Sequence, residues 1–161
     1  MDKLAENIPL NDLRTKLQEE IKKVTLDDLY KLSFHFNEEN KYLQGKYRKQ
    51  HIENVQNILI QRFKELKNDN KEYDGMLDYE DTENINEIFK KSRDTLTHIL
   101  YTIVVYTTYL LKEPLHMPNT EFPGPVNIYT DGVNYYCPIK KYHMESKEAL
   151  CKYCIAKTTM E

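Results

Sequence analysis

Four residues near the C-terminal end have the types and spacing to hold a metal ion. Cys137, His143, Cys151 and Cys154 read as Cys-Pro-x4-His-x7-Cys-x2-Cys. Zinc favours four tetrahedral ligands of soft sulfur or imidazole nitrogen, and three thiolates with one histidine form a standard structural set. The Cys-x2-Cys pair can grip one ion from a turn or from a helix, where residues three apart share a face. Cys137 would add a third thiolate from a strand end, where Pro138 turns the chain away. Most small zinc folds have a cysteine pair in their first arm, and here there is one. His143 is therefore the expected fourth ligand, with Glu145, Glu148 or water as substitutes.

Three other readings of the cluster stay open beside zinc. An iron–sulfur cluster would use the three thiolates and one further ligand, although the spacing matches no common ferredoxin pattern. A redox pair at Cys151 and Cys154 would want a βαβ surround, which the pattern lacks. Plain buried thiols are the third. If zinc is bound, the small lobe has too little core to order itself alone, and removing the ion should unfold it.

Other constellations are weaker. His51 and Glu53 with Cys151 and Cys154 superficially match a zinc-deaminase signature, but the two halves lie far apart and no proline precedes Cys151. Glu113 and His116 mimic half of a di-iron motif with Pro114 inside it. Four glycines, none within four residues of another, exclude a Walker loop and a dinucleotide fingerprint. Asp94 and His98 stand one helical turn apart and suit a satisfied core histidine better than a base. Asp74, Asp78, Glu80 and Asp81 lack calcium-loop spacing and read as a solvated loop. Lys140, Lys141, Lys147, Lys152 and Lys157, with Tyr142 and Tyr153 between them, make the most basic stretch. Three glutamates in residues 135–161 leave an excess of only two charges there, so RNA binding is weakly supported and surface lysines suffice.

The elements that must position the cluster follow from pattern. Leu10, Leu13, Leu17, Ile21 and Val24 mark a first helix after Pro9. Thr25, with Asp28 three residues on, caps a second through Leu32. A longer helix is expected from about Glu38 to Leu66, interrupted only by Gly45. A fourth, capped by Asp81 or Thr82, should run to about Lys112, where Pro114 stops it. Its segment 95–111 carries no formal charge, yet five threonines and three tyrosines make it the central helix of a bundle rather than a membrane span. Five of the six prolines lie beyond residue 113, so an irregular lobe begins there. "VNIYTDGVNYYC" reads as a hairpin on an Asp131-Gly132 turn, with Thr130 facing Val133, Ile128 facing Tyr135 and Val126 facing Cys137. Asn127, Tyr129, Asn134 and Tyr136 take the other face. A short helix is expected from Ser146 through Ile155.

The block from Glu121 to Lys157 resembles a family of uncharacterised proteins from methanogenic archaea. The resemblance rests on Phe122-Pro123-Gly124, Tyr135-Tyr136-Cys137-Pro138 and the terminal Cys151-x2-Cys154, behind a helical N-terminal half. It implies an archaeal, cytosolic setting and no particular reaction.

With 161 residues and a net charge of −3, the chain gives no whole-molecule reason to bind nucleic acid or an anionic membrane. The N-terminus lacks the apolar core of an export signal, so a cytoplasmic home with reduced thiols is expected. The fold expected is mainly α: a bundle of about four helices over 1–112, closed by a cysteine-bearing hairpin-and-helix lobe over 113–161. The expected role is a binding or adaptor protein with a structural zinc site, its partner another protein or, less favoured, RNA. The alternative is an enzyme or metal-handling accessory protein with an open three-cysteine site.

Overall fold

The apolar stripe of the first helix becomes one wall of the core. α1 (Leu10–Ile21) starts behind its N-cap Pro9 and buries Leu10, Leu13, Leu17 and Ile21, a spacing that lines one helical face. The computed structural model describes residues 1–39, 45–116, 121–122, 126–142, 144 and 150–159. α2 (Leu26–Glu39) opens on the expected reciprocal cap: Thr25 Oγ1 accepts the Asp28 amide at 3.1 Å and Asp28 Oδ2 accepts the Thr25 amide at 2.9 Å. α2 runs on past Leu32 to Glu39, and α3 spans Gly45–Asn68. Glu38 lies on α2, and residues 40–44 lie outside the described residues.

The expected helix to Lys112 is two helices, which makes five among the described residues instead of four. α4 (Tyr79–Lys90) is capped by Asp78, whose side chain accepts the Asp81 amide at 2.7 Å. α5 (Thr95–Val105) starts on a capping box in which Asp94 Oδ1 accepts the Thr97 amide at 2.9 Å and Thr97 Oγ1 accepts the Asp94 amide at 3.2 Å. Apolar periodicity runs across residues 91–94, but a cap at Asp94 satisfies backbone donors that a continuous helix would have paired internally. α5 passes into a π-helical turn, Tyr106–Leu111, closed by Lys112 in the left-handed region. Residues 101–110 are buried throughout, and α5 packs against α1, α2, α3 and α4. Thr102 and Thr107 return their hydroxyls to the carbonyls of His98 (2.7 Å) and Ile103 (2.8 Å), which satisfies two of the hydroxyls buried in this segment. No helix among the described residues is long and apolar enough to cross a membrane.

Beyond Pro114 the described residues form two small sheets. β1 (Glu121–Phe122) pairs antiparallel with β2 (Val126–Asn127). β3 (Tyr129–Thr130), β4 (Tyr135–Cys137) and β5 (Lys157–Thr158) form a second sheet with β4 in the middle, antiparallel to β3 and parallel to β5. The hairpin register corrects the expected one. Tyr129 faces Tyr136 and Thr130 faces Tyr135, and the Asp131 amide donates to the Asn134 carbonyl at 3.2 Å. The loop residues are thus Gly132 and Val133. Asp131 Oδ1 accepts the amides of Val133 (2.9 Å) and Asn134 (2.7 Å), and Gly132 takes φ 94°, at the loop position where a type II′ hairpin wants glycine. The partners on the outgoing strand slip by two residues, and an even slip keeps side-chain alternation. Ile128 and Cys137 still share the buried face, while Tyr129 and Tyr136 stack on the other at 5.1 Å. The helix expected from Ser146 is also corrected. Residues 145–149 lie outside the described residues, and 150–155 are successive turns that lead into β5.

Candidate metal centre

Cys137 ends β4 and is buried. Pro138 cannot extend the ladder, and the chain turns back so that the amides of Ile139 and Lys140 hydrogen-bond toward the Cys137 sulfur. Burial pushes the Cys137 thiol up, and those two amides pull it the other way. Cys151 and Cys154 sit on the turns before β5, with the Cys154 amide donating to the Cys151 carbonyl at 3.2 Å. Cys154 Sγ accepts the Leu115 amide at 3.4 Å. Burial also pushes the Cys151 thiol up, followed by the neighbouring sulfurs of Cys137 and Cys154. All three cysteines are free thiols. Cys137 and Cys154 pack in one small cluster with Ile128, Ile139 and Ala156.

The fold therefore brings three of the four expected ligands into one neighbourhood. His143 lies outside the described residues, as do Glu145 and Glu148. Among the described residues, no three thiol, imidazole or carboxylate groups stand close enough about one point to hold an ion as they are placed.

Lys140 is the residue that sequence reasoning misplaced. It is buried, and its Nζ donates to the carbonyls of Cys154 (2.8 Å) and Ala156 (2.6 Å). It ties the turn after Cys137 to the strand after Cys154, and its charge favours the thiolate forms of Cys137 and Cys151. The run "PIKKY" holds a weak signal for this, because one of two adjacent lysines beside a buried strand must point inward or along the surface. Tyr153, between the two C-terminal cysteines, enters the main core. Its ring lies 5.1 Å from Lys91 Nζ and 4.9 Å from Lys152 Nζ, and Lys152 bonds Glu87 at 3.1 Å. The Cys-x2-Cys turn is thereby docked on α4. With Lys140 buried and Lys152 paired, and with Lys147 outside the described residues, the basic stretch presents fewer free charges than its sequence suggests.

The remaining candidates resolve differently. His98 is held by Glu20 (Nε2 to Oε2, 2.7 Å) and packs on Phe89, while the Asp94 carboxylate caps α5 instead. Glu113 pairs with buried Arg62. His51 lies on α3, far in the chain from the cysteines. The polar run after α3 hides a buried carboxylate: Asp69 Oδ2 accepts the hydroxyls of Tyr106 (2.6 Å) and Tyr73 (2.5 Å), and Oδ1 accepts the Lys71 amide at 2.9 Å. Burial pushes Asp69 up, but these bonds hold it below the usual carboxylate value. Burial and Asp69 together push Tyr73 up to about 12.

A family described as an uncharacterized protein conserved in archaea (DUF2115) matches residues 10–159. Similar chains include UPF0305 protein MmarC7_1691 of Methanococcus maripaludis, 31% identical over 160 residues and covering 92% of this chain and 96% of that one. UPF0305 protein MJ0646 of Methanocaldococcus jannaschii is 29% identical over 161 residues, with coverage of 93% and 96%. A UPF0305 protein of Methanothermobacter thermautotrophicus is 27% identical over 149 residues, with coverage of 87% and 90%. No solved structure matches the chain.

Proposed function

The chain belongs to the archaeal DUF2115 family, and we propose that its C-terminal lobe is a structural zinc lobe on a binding or adaptor protein. The observation that supports this is the gathering of the chain's three cysteines, from a strand end and a turn, into one neighbourhood with amide donors directed at two of the sulfurs. Amides that hydrogen-bond to sulfur, together with the buried Lys140 charge, oppose the burial that pushes the Cys137 and Cys151 thiols up, as outer-shell groups do around a metal. The donor set fits zinc: Cys137, Cys151 and Cys154 would hold it, and His143 is the proposed fourth ligand. Zinc would supply no reaction there, only a cross-link between β4 and the Cys151–Cys154 turn. A cytoplasmic setting, where thiols stay reduced, belongs to the same reading.

A second reading is favoured by the count of three thiols: an open site, zinc or iron–sulfur, in an enzyme or metal-handling accessory protein. Metal analysis of anaerobically purified protein separates the two. The expected result is one zinc per chain, lost in Cys151→Ser and Cys154→Ser and weakened in His143→Ala. Iron with sulfide would favour the second reading, and a metal-free protein would remove both. The binding role draws on the bundle, whose exposed apolar residues Leu26 and Ile60 lie beside Lys64 and Lys67. The partner proposed is another protein.

A further inference from the structure

The start of α2 and the C-terminal half of α3 enclose a groove. It consists of two connected spaces of about 310 and 600 Å³ that share Leu26, Leu29, Phe63 and Lys67. The floor is apolar, with Leu26, Leu29 and Ile60 beside the rings of Tyr30 and Phe63: Leu26, at the first position of α2, is 85% exposed, Tyr30 62% and Ile60 40%. Lys22 and Lys67 line one space, and Lys64 and Lys67 the other. No carboxylate lines either space among the described residues, and none of these three lysines is ion-paired with a described residue. The contrast with Lys31 is informative. It lies further along α2 and is neutralised by Asp27 at 3.0 Å. The groove thus combines exposed apolar side chains with lysines that no described carboxylate neutralises.

We propose that this groove binds an acidic amphipathic helix of a partner protein. The proposal rests on the binding role given above and is independent of zinc. Charge complementarity sets the sign: carboxylates on the flanks of a docked segment would meet Lys22, Lys64 and Lys67 as its apolar stripe covers Leu26 and Ile60. The helical form follows from the walls. Both are helices and present no strand edge, so an extended peptide has no ladder to join. A helix brings its own backbone bonds and lays only side chains into a groove between helices.

The test uses full-length protein and two fluorescein-labelled peptides of about four helical turns. Both carry leucines at i, i+3, i+4 and i+7, one with glutamates and one with lysines at the remaining positions. In fluorescence anisotropy the acidic peptide should bind at least ~10-fold more tightly than the basic one, and its binding should weaken as salt rises. Lys64→Glu with Lys67→Glu should reverse the preference, and Leu26→Asp should weaken the acidic peptide by ~10-fold or more. All three positions are exposed, so circular dichroism should be unchanged. Equal binding of the two peptides would overturn the proposal, as would acidic binding indifferent to the charge reversal. Oligouridylate bound through the same lysines would assign the groove to RNA instead. Self-association in sedimentation, lost in Leu26→Asp, would assign it to a second copy. Metal content measured on the same samples keeps failure here distinct from failure of the zinc reading, because the variants leave the cysteine lobe untouched.

Discussion

Under the zinc reading proposed above, a strong chelator is expected to unfold the C-terminal lobe of anaerobically purified protein and spare the bundle. Among the described residues, the lobe's own buried cluster is Ile128, Cys137 and Ala156, fringed by Tyr135, Ile139 and Cys154. That is too little apolar area to offset the ordering of several dozen residues, and its strands are two or three residues long. Sheets of this size are marginal alone. Metal binding to small thiolate sites supplies about 10–16 kcal/mol at neutral pH, ample to order such a lobe. Hydrogen exchange should therefore show the amides of residues 126–159 losing protection on chelation, while α1, α3 and α5 keep theirs. The effect should reach α4 locally. Tyr153 sits in the main core between Lys91 and Lys152, so undocking it exposes one edge of that helix. Protection unchanged after complete metal removal would mean that packing alone holds the lobe.

Replacing Asp69 by alanine is expected to cost the bundle about 3 kcal/mol, a large share of the stability of a domain this size. Three donors converge on this carboxylate, from Tyr106, Tyr73 and the Lys71 amide, and bonds to a charged acceptor are roughly twice as strong as neutral ones. Tyr106 is fully buried, so truncation strands its hydroxyl where water cannot reach it. Gln18 Nε2 bonds the Asp69 carbonyl at 2.6 Å and survives the change, which keeps the α1 contact. Tyr106→Phe removes donor and penalty together and should cost about 1 kcal/mol. The pH dependence has a definite sign. Asp69 is held below its unfolded value of 3.8, so its contribution is complete above that value and is lost as pH falls through the lower folded value. Asp69→Asn should therefore flatten the acid limb of a denaturation series, and an unchanged acid limb would contradict this account.

Local chemistry was legible where it acts between near neighbours. The Thr25–Asp28 cap and the buried stripe Leu10, Leu13, Leu17 and Ile21 both follow from residues within a few positions of one another. The break at Asp94 was hidden because Leu96, Ile99 and Ile103 continue the period of Ile85 and Ile88, and one capping carboxylate overrides periodicity. The hairpin faces were readable and its register was not. Asp131 can open the turn as a side-chain acceptor or occupy its centre, and only the Val133 and Asn134 amides decide between them. Interactions between distant parts of the chain left no signature. "KNDNKEYDG" looks like a solvated loop until Tyr106 arrives from the central helix, and His98 finds Glu20 rather than the adjacent Asp94. At the cysteine cluster, residue types and the strand-end place of Cys137 could be read directly. The buried Lys140 and the core-bound Tyr153 could not, since each depends on how the lobe closes on itself and on α4.

The measurement that bears most directly on the zinc reading is X-ray absorption at the zinc edge of anaerobically purified protein. Three sulfur neighbours near ~2.3 Å and one nitrogen or oxygen near ~2.0 Å are the predicted shell, with the light-atom contribution becoming water-like in His143→Ala. A shell of oxygen and nitrogen alone would show that Cys137, Cys151 and Cys154 do not meet on the ion, and would contradict the account.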